Sequence, residues 1–246
     1  MQIFLYVITY LVGVLTGFMN VIGGGGSILT LPLLTFLGLS VNVANGTNRI
    51  SILLQNIVSS YQFRKGKVHI FKIALPLALI ASAGAIAGSF VVVNVDQDIL
   101  KKIVGVILVL MGLFVVFEPK IWESGTEVPK KFTWIEYLAF FGIGFYGGFL
   151  QAGVGFFFIA ALTFLGGLDI VKTNAVKVLV IASYTVFSLI IFMSKGMVDW
   201  PIGLVLSLGS MTGAYVGTRF TLLKKMKWIR YVLLAAILVS VINFFI

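Results

Sequence analysis

Cysteine is absent from this 246-residue sequence, and His69 is the only histidine. Without thiols the chain can form neither a disulfide nor a thiolate metal site, and one imidazole cannot supply a histidine cluster for a metal. Charged residues are scarce as well, at 11%, compared with about 25% in an average soluble domain. These absences exclude cysteine chemistry, and we expect the chain to hold no catalytic residue, no metal and no cofactor.

Apolar residues make up 60% of the chain, and the mean hydropathy is +1.11. Several apolar runs approach the ~20 residues needed to cross a bilayer. The sequence therefore predicts an all-α polytopic protein of the plasma (inner) membrane, with the lipid bilayer as a partner. The first run lacks the basic start and the small-residue cleavage site of a signal peptide, so we expect it to be retained as a helix.

The net charge of +10 has a simple interpretation in a membrane protein. Basic residues cluster in the loops between the apolar runs, as the positive-inside rule predicts for cytoplasmic loops. We therefore expect no nucleic-acid partner. The oligomeric state stays open, and a homo-oligomer is compatible with the sequence.

Ten apolar runs follow one another along the chain. The second and seventh are only 13–14 residues long, which is typical of a re-entrant or broken helix. The most polar stretch separates the fifth run from the sixth, which predicts a first transmembrane repeat over 1–117, a polar connecting loop over 118–132 and a second repeat over 133–246. The runs cover about 3–22, 27–39, 43–63, 70–93, 99–117, 133–150, 154–167, 171–194, 198–219 and 228–246.

The two halves share short motifs in the same order. LLTFLG at 33–38 matches ALTFLG at 161–166, and GAIAGS at 84–89 matches GAYVGT at 213–218. Arg49 and Lys177 occupy matching positions, 128 residues apart. Such an internal duplication underlies many transporter folds.

Loop charge indicates that the two halves are inverted. The loops at 63–72 and 219–230 are strongly basic, whereas their repeat mates at 192–200 and 94–102 carry little net charge. Because basic loops face the cytoplasm, equivalent loops then lie on opposite faces of the membrane. Five crossings per repeat give the same inversion and place both termini outside, provided that the two short runs cross.

Each half has a glycine-containing break just before its short run. The first is NVIGGGGS at 20–27, and the second is LQAGVGFF at 150–157. A broken helix leaves N–H groups without partners, and glycine lets a ligand approach the backbone closely. With the positive end of the following helix, near Ser27 or Gly155, each break is suited to binding an anion. The alternative is that the glycines serve only close helix packing.

Two cations, Arg49 and Lys177, lie well inside apolar runs, whereas all eight acidic residues lie in loops or at run ends. A charge inside a membrane segment is costly and usually functional. No carboxylate in the runs could neutralise these cations, but a bound anion could. For Lys177, extension of the side chain to the membrane surface is the alternative.

The breaks, the two cations and their polar neighbours together predict a site for a small anionic substrate. Further amides and hydroxyls on the same segments, including Ser51, Gln55, Asn56, Ser183 and Tyr184, surround it, although any single one could instead cap or join helices. The predicted substrate-binding residues are Asn20, Gly24, Gly25, Gly26, Ser27, Asn45, Thr47, Asn48, Arg49, Gln151, Gly153, Gly155, Thr173, Asn174 and Lys177.

The order of these motifs resembles the sulfite exporter TauE/SafE family of membrane permeases. The resemblance rests on the glycine-rich break, the short helix with Pro32, LLTFLGL at 33–39, ANGTN at 44–48 and VDWPIG at 198–203. The second half departs from the family pattern, because it lacks a triple glycine and has Ala160 at the mate of Pro32. The resemblance implies transport of sulfite, organosulfonates or related sulfur anions.

These features favour a secondary transporter, in the direction of export, that works by alternating access at a midplane site. An anion channel, or a permease for another small organic anion, is the alternative. GGGGS lacks the Lys-Ser/Thr ending of a nucleotide-binding P-loop, and the runs lack the side chains of an intramembrane enzyme. Because no carboxylate lies deep in the runs, we also expect that none carries a coupled proton.

Overall fold

The computed structural model describes residues 2–116 and 132–223, and in that part all regular structure is helical. The predicted all-helical class is confirmed there, and the helix bounds follow the predicted runs closely. The predicted run at 228–246 and most of the predicted loop at 118–132 lie outside the described residues. The helices are α1 (Gln2–Ile22), α2 (Ser27–Phe36), α3 (Val41–Lys65), α4 (Phe71–Val92), α5 (Gln97–Val116), α6 (Trp134–Phe149), α7 (Val154–Ala160), α8 (Ile170–Ser194) and α9 (Trp200–Leu222).

Three of these helices are long and apolar enough to cross a membrane by length and composition, within the ranges described. They are α1, α4 and α8. Helices α3 and α9 have comparable lengths, 25 and 23 residues, but carry more polar residues among their buried side chains. The short second and seventh runs form α2, of ten residues, and α7, of seven, which continues into a π-helical turn at Ala161–Leu165.

Helix α1 packs along α9, and small residues bring the two backbones together. A Cβ atom added to Gly13 would lie 2.6 Å from Leu206 O, and one added to Gly213 would lie 1.8 Å from Val14 O. Further along, Gly217 faces Phe18. Because the contacts advance along both helices in the same direction, α1 and α9 are parallel.

Helices α4 and α6 form a second pair of the same kind. A Cβ atom on Gly84 would lie 2.1 Å from Phe141 O, and one on Gly88 would lie 2.0 Å from Phe145 O. Gly148 in turn faces Ala85. This pair is also parallel, and it places the GAIAG stretch at a close helix contact, as small residues in membrane helices commonly are.

Helix α3 runs parallel to α9, since Ser51 contacts Ser210 near the start of the interface and Gly66 contacts Leu222 near its end. Helices α1, α3 and α9 therefore share one direction. The short link 66–70 turns α4 the other way, and α6 follows α4. Link 195–199 reverses the chain between α8 and α9 in the same manner.

Helix α2 must return the chain, because α1 and α3 run in the same direction. Its ten residues span about 15 Å, half of the ~30 Å hydrocarbon core. The chain turns back at 23–26, and α2 begins in the interior of the molecule, where Ser27 is 2% exposed. Helix α7 begins in a similarly buried position, at Val154, which is 3% exposed.

The two ends of the bundle differ in charge. At the end that holds link 66–70 and the end of α9, six basic and two acidic side chains of the described residues lie outside the core. At the opposite end three of each sign cancel. The first set is Arg64, Lys65, Lys67, Lys72, Lys172, Arg219, Glu136 and Asp169, and the second is Lys101, Lys102, Lys195, Asp96, Asp98 and Asp199.

Candidate functional site

The first break bends sharply after α1. Gly24 has a φ of +89°, a left-handed conformation that favours glycine, and Asn20 Oδ1 accepts a hydrogen bond of 2.8 Å from Gly26 N. The N–H groups of Gly25 and Ser27 form no hydrogen bond with the described residues. The N-terminus of α2 carries partial positive charge, and these two N–H groups are available there as hydrogen-bond donors.

The second break is held by a strained residue. Gln151 has a φ of +67°, which is uncommon for a side chain with a Cβ, and Gly153 follows with a φ of +71°. Hydrogen bonds fix the Gln151 side chain at both ends: Nε2 donates to Thr185 Oγ1 at 3.2 Å, and Oε1 accepts from Arg49 at 3.3 Å. Backbone strain held in place by surrounding contacts is typical of functional sites.

The two breaks cross each other at a pair of glycines. A Cβ atom on Gly24 would lie 2.3 Å from Gly155 Cα, and one on Gly155 would lie 2.2 Å from Gly24 Cα. Neither position can hold a larger residue without moving the other backbone. The breaks, which come from opposite halves of the sequence, therefore meet with no side chain between them.

A small cavity lies beside this crossing. It has room for about one water molecule. Five of its ten lining residues have polar side chains, and the lining comes from α1, α3, α8 and both breaks. The lining residues are Asn20, Gly24, Ser27, Ile52, Gln55, Asn56, Gln151, Val154, Gly155 and Ile181.

Arg49 is fully buried, and oxygen atoms accept from both terminal nitrogens of its guanidinium. Two acceptors are backbone carbonyls at the end of α6, just before the second break. The planar guanidinium also lies 4.3 Å from the ring centroid of Phe192. The acceptors are Gly147 O (3.3 Å), Gly148 O (2.6 Å), Gln151 Oε1 (3.3 Å) and Asn45 Oδ1 (3.3 Å).

Lys177 makes the corresponding contact in the other half. Its Nζ donates to Val21 O, at the end of α1, at 2.8 Å and to Asn174 Oδ1 at 2.7 Å. Arg49 therefore binds two carbonyls, and Lys177 one, at the C-terminal end of the broken helix from the opposite half. Helix C-termini carry partial negative charge, so these contacts stabilise the cations without a carboxylate. The sequence predicted a bound anion beside these cations, and protein oxygens lie within hydrogen-bonding distance of both. Substrate binding by Arg49 and Lys177 stays a prediction.

The structure brings five predicted site residues to the cavity and distributes the others around it. Asn48 Nδ2 donates to Ser27 Oγ at 3.3 Å, and a Cβ on Gly25 would meet the ring of Phe156. Gly26 and Gly153 shape the two breaks. The lining residues among the predicted set are Asn20, Gly24, Ser27, Gln151 and Gly155.

Three other predicted residues make local contacts away from the cavity. Asn45 Nδ2 donates to Phe149 O at 2.8 Å, Thr47 Oγ1 accepts from Asp199 N at 2.9 Å, and Thr173 Oγ1 donates to Leu168 O at 3.2 Å. These contacts fasten helix ends and links. Substrate binding by these three residues stays a prediction.

Gln55 and Asn56 line the cavity but are missing from the predicted set of binding residues. They follow Asn48 at seven and eight residues, so they lie on the same face of α3 two turns later. That helical spacing was the available signal. Ile52, on the same face, adds an apolar contact to the lining.

The profile of the Sulfite exporter TauE/SafE family matches residues 9–244. The chain belongs to this family. It is 30% identical over 226 residues, covering 91% of this chain and 83% of the relative, to "Probable membrane transporter protein YfcA" of Escherichia coli (strain K12). It is 30% identical over 231 residues to "Probable membrane transporter protein ORF9" of Sinorhizobium sp, covering 92% of this chain and 85% of that one.

A third TauE/SafE relative is "Probable membrane transporter protein" of Haemophilus influenzae, 28% identical over 92% of this chain and 89% of its own length. No solved structure matches the chain. The sequence-based resemblance to the TauE/SafE family is confirmed, and the protein is a membrane transporter of that family.

Proposed function

We propose that the protein is a secondary transporter that exports small sulfur-containing anions, such as sulfite or organosulfonates, by alternating access. The observation that carries the proposal is the crossing of the two breaks at Gly24 and Gly155, beside a small cavity that must widen to admit such an anion. Two helix breaks that meet in the bundle interior are the usual setting of a transporter site.

The donors around the cavity suit an oxyanion. The N–H group of Ser27, which has no partner among the described residues, and the amides of Gln55 and Asn56 can donate to the oxygens of a sulfite or sulfonate group. The positive end of α2 adds favourable electrostatics. The family profile supplies the sulfur chemistry, because its description is that of a sulfite exporter.

An inverted repeat is part of this proposal, with one repeat in 1–117, the connecting loop in 118–132 and the second repeat in 133–246. In such a repeat α1 corresponds to α6, and α9 corresponds to α4. The pair α1–α9 is parallel, and the corresponding pair α6–α4 is parallel as well. Helices α1 and α6 point in opposite directions, as equivalent helices of inverted repeats do. Arg49 of the first half binds the end of α6, and Lys177 of the second half binds the end of α1, so these contacts also correspond between the halves.

We further propose that the protein lies in the plasma (inner) membrane with its more basic end in the cytoplasm. That end holds link 66–70, and the opposite end holds link 195–199. The start of α1 is then outside. The loop predicted at 219–230 lies largely beyond the described residues, so the link 66–70 is the better place to test the orientation.

Single cysteines in this cysteine-free background report the orientation. We expect Lys67→Cys to resist an impermeant thiol reagent added to intact cells and to react after the cells are opened. Lys195→Cys, equally exposed at the other end, is the matched variant and should react in intact cells. Labelling of the two cysteines in the reverse order would refute the proposed orientation.

Transport in proteoliposomes tests the function itself. A membrane potential drives each unit of charge with about 2.3 kcal/mol per 100 mV, so an interior-negative potential favours anion export. With sulfoacetate as a non-titrating substrate near neutral pH, we expect voltage alone to drive saturable flux and a pH gradient at zero voltage to drive none. Absence of flux for sulfite, sulfoacetate and taurine would reject the proposed substrate class, and uphill flux driven by pH would reject the coupling.

A further inference from the structure

Helix α3 carries a line of buried polar side chains beyond the cavity. Gln55, Ser59 and Gln62 are spaced by four and three residues, so they lie on one face of the helix. Their exposed fractions are 1%, 0% and 9%. An apolar side chain would serve helix packing at these positions without burying a polar group.

Two polar atoms of this line have no partner. Gln55 Oε1 and Ser59 Oγ are buried and form no hydrogen bond to any residue in the described ranges. A buried polar group without a partner destabilises a structure, and each such group in a folded protein calls for an explanation, such as water or a functional role. The arrangement is reasonable if these atoms meet water or a solute in another conformation.

The line connects the cavity with the basic end of the bundle. Gln55 belongs to the cavity lining. Gln62, whose Nε2 donates to Tyr215 O at 3.2 Å, lies two and three residues before Arg64 and Lys65. Seven residues of helix correspond to about 10 Å, so this short line covers the distance from the site to the basic end.

The opposite half of the bundle differs. On α8, Ser188 has a partner in Ser89 Oγ at 2.8 Å, and Phe192 fills the next turn under the Arg49 guanidinium. Tyr184 OH on α8 is also buried without a partner in the described ranges, so the contrast between the two helices is that of the unpartnered Ser59 with the hydrogen-bonded Ser188. Ser188 takes part in a hydrogen bond between helices, whereas Ser59 forms none with any residue described. A role in joining helices therefore does not explain the polar side chain of Ser59.

We propose that Gln55, Ser59 and Gln62 form the cytoplasmic half of the substrate passage, a proposal that rests on the transport function and orientation given above. When this half opens, the hydroxyl and amide groups replace part of the hydration shell of a small oxyanion. The excess of basic side chains at the same end raises the local concentration of anions at its mouth. Ser59 lies midway along the line, so substitutions of Ser59 test the proposal most directly.

The experiment measures access to Ser59→Cys in inside-out vesicles, with the anionic reagent 2-sulfonatoethyl methanethiosulfonate. Ala78→Cys is the matched control, because Ala78 is buried on α4 and lies seven residues from the basic end, compared with six for Ser59. We expect Ser59→Cys to react at least tenfold faster than the control and sulfoacetate to slow that reaction. Gln62→Cys provides a second variant with the same expectation if Ser59→Cys does not elute as a folded protein.

A second measurement uses Ser59→Leu. This substitution should lower sulfoacetate flux at least tenfold, whereas the dissociation constant of sulfoacetate at the cavity should change less than about twofold. Equal, slow reaction of both cysteines together with parent-like flux in Ser59→Leu would overturn the passage. Rapid reaction of Ser59→Cys in a protein that carries none of the sulfur anions would support the passage and reject the substrate instead. The two proposals therefore fail separately.

Discussion

Replacing Gly24 by alanine is expected to abolish transport. The added Cβ would lie 2.3 Å from Gly155 Cα and 2.4 Å from Gly155 C, so the two breaks must separate. In addition, alanine at a φ of +89° costs about 1–2 kcal/mol. We expect sulfoacetate flux in proteoliposomes below about 1% of the parent, which corresponds to a loss of about 2.7 kcal/mol or more.

Two further substitutions separate the effect of backbone strain from that of the steric collision between the two breaks. Gly38 has a φ of +91° with nothing within 4 Å of an added Cβ, so Gly38→Ala introduces the strain alone. Gly155→Ala introduces the collision alone, at 2.2 Å from Gly24 Cα. We expect Gly38→Ala to retain most of its flux and Gly155→Ala to lose it. If Gly24→Ala transports as well as Gly38→Ala, the crossing is not part of the site.

Removing the guanidinium of Arg49 should have an effect of similar size. Arg49→Ala leaves Gly147 O and two side-chain oxygens without their donor, whereas Gly148 O keeps its hydrogen bond from Ser89 Oγ. The substitution also opens a space beside Phe192. A buried acceptor left without its donor typically costs about 1–3 kcal/mol. We expect flux to fall about 100-fold and the thermal unfolding midpoint to fall by roughly 10 °C, at about 2–4 °C per kcal/mol.

The conservative variant shows how Arg49 acts. An ammonium at the equivalent position, Lys177, already holds one carbonyl and one amide oxygen, so Arg49→Lys should recover part of the stability and flux. Because the terminal nitrogens of Arg49 are engaged by protein oxygens, we expect the ratio of sulfite to sulfoacetate affinity to stay within about twofold of the parent. A large change in that ratio would mean that Arg49 contacts the anion directly. Parent-like flux and stability in Arg49→Ala would show that the hydrogen bonds of Arg49 to the end of α6 are not needed.

Much of the fold follows from the sequence because helix positions depend on local patterns. Apolar runs gave the helix bounds, and the glycines at 23–26 gave the first break. The short runs correspond to α2 and α7, since too few apolar residues were available for full-length helices. The backbone conformation of the second break could not be predicted in the same way. Its left-handed turn includes Gln151, and glutamine does not usually adopt that conformation.

The partners of the buried cations could not be deduced in the same way. Arg49 reaches carbonyls 98 and 99 residues away, and Lys177 reaches one 156 residues away. Backbone carbonyls look alike in any sequence, so nothing local marks Val21 or Gly148 as an acceptor. The sequence shows no carboxylate inside the apolar runs, and the negative charge near Arg49 and Lys177 comes instead from helix C-termini.

The pairing of α1 with α9 has a consequence for how the protein is made. Tyr10 and Thr212, which contact each other at this interface, are 202 residues apart. At about 5–20 residues per second, a ribosome needs roughly 10–40 s to synthesise the chain between them. During that time α1 has to remain in lipid without its main neighbour, whereas α4 meets α6 much sooner. We therefore expect the half-synthesised protein to depend on the insertion machinery or a membrane chaperone to shelter α1, and the closing of α1 against α9 to be a late step of biogenesis.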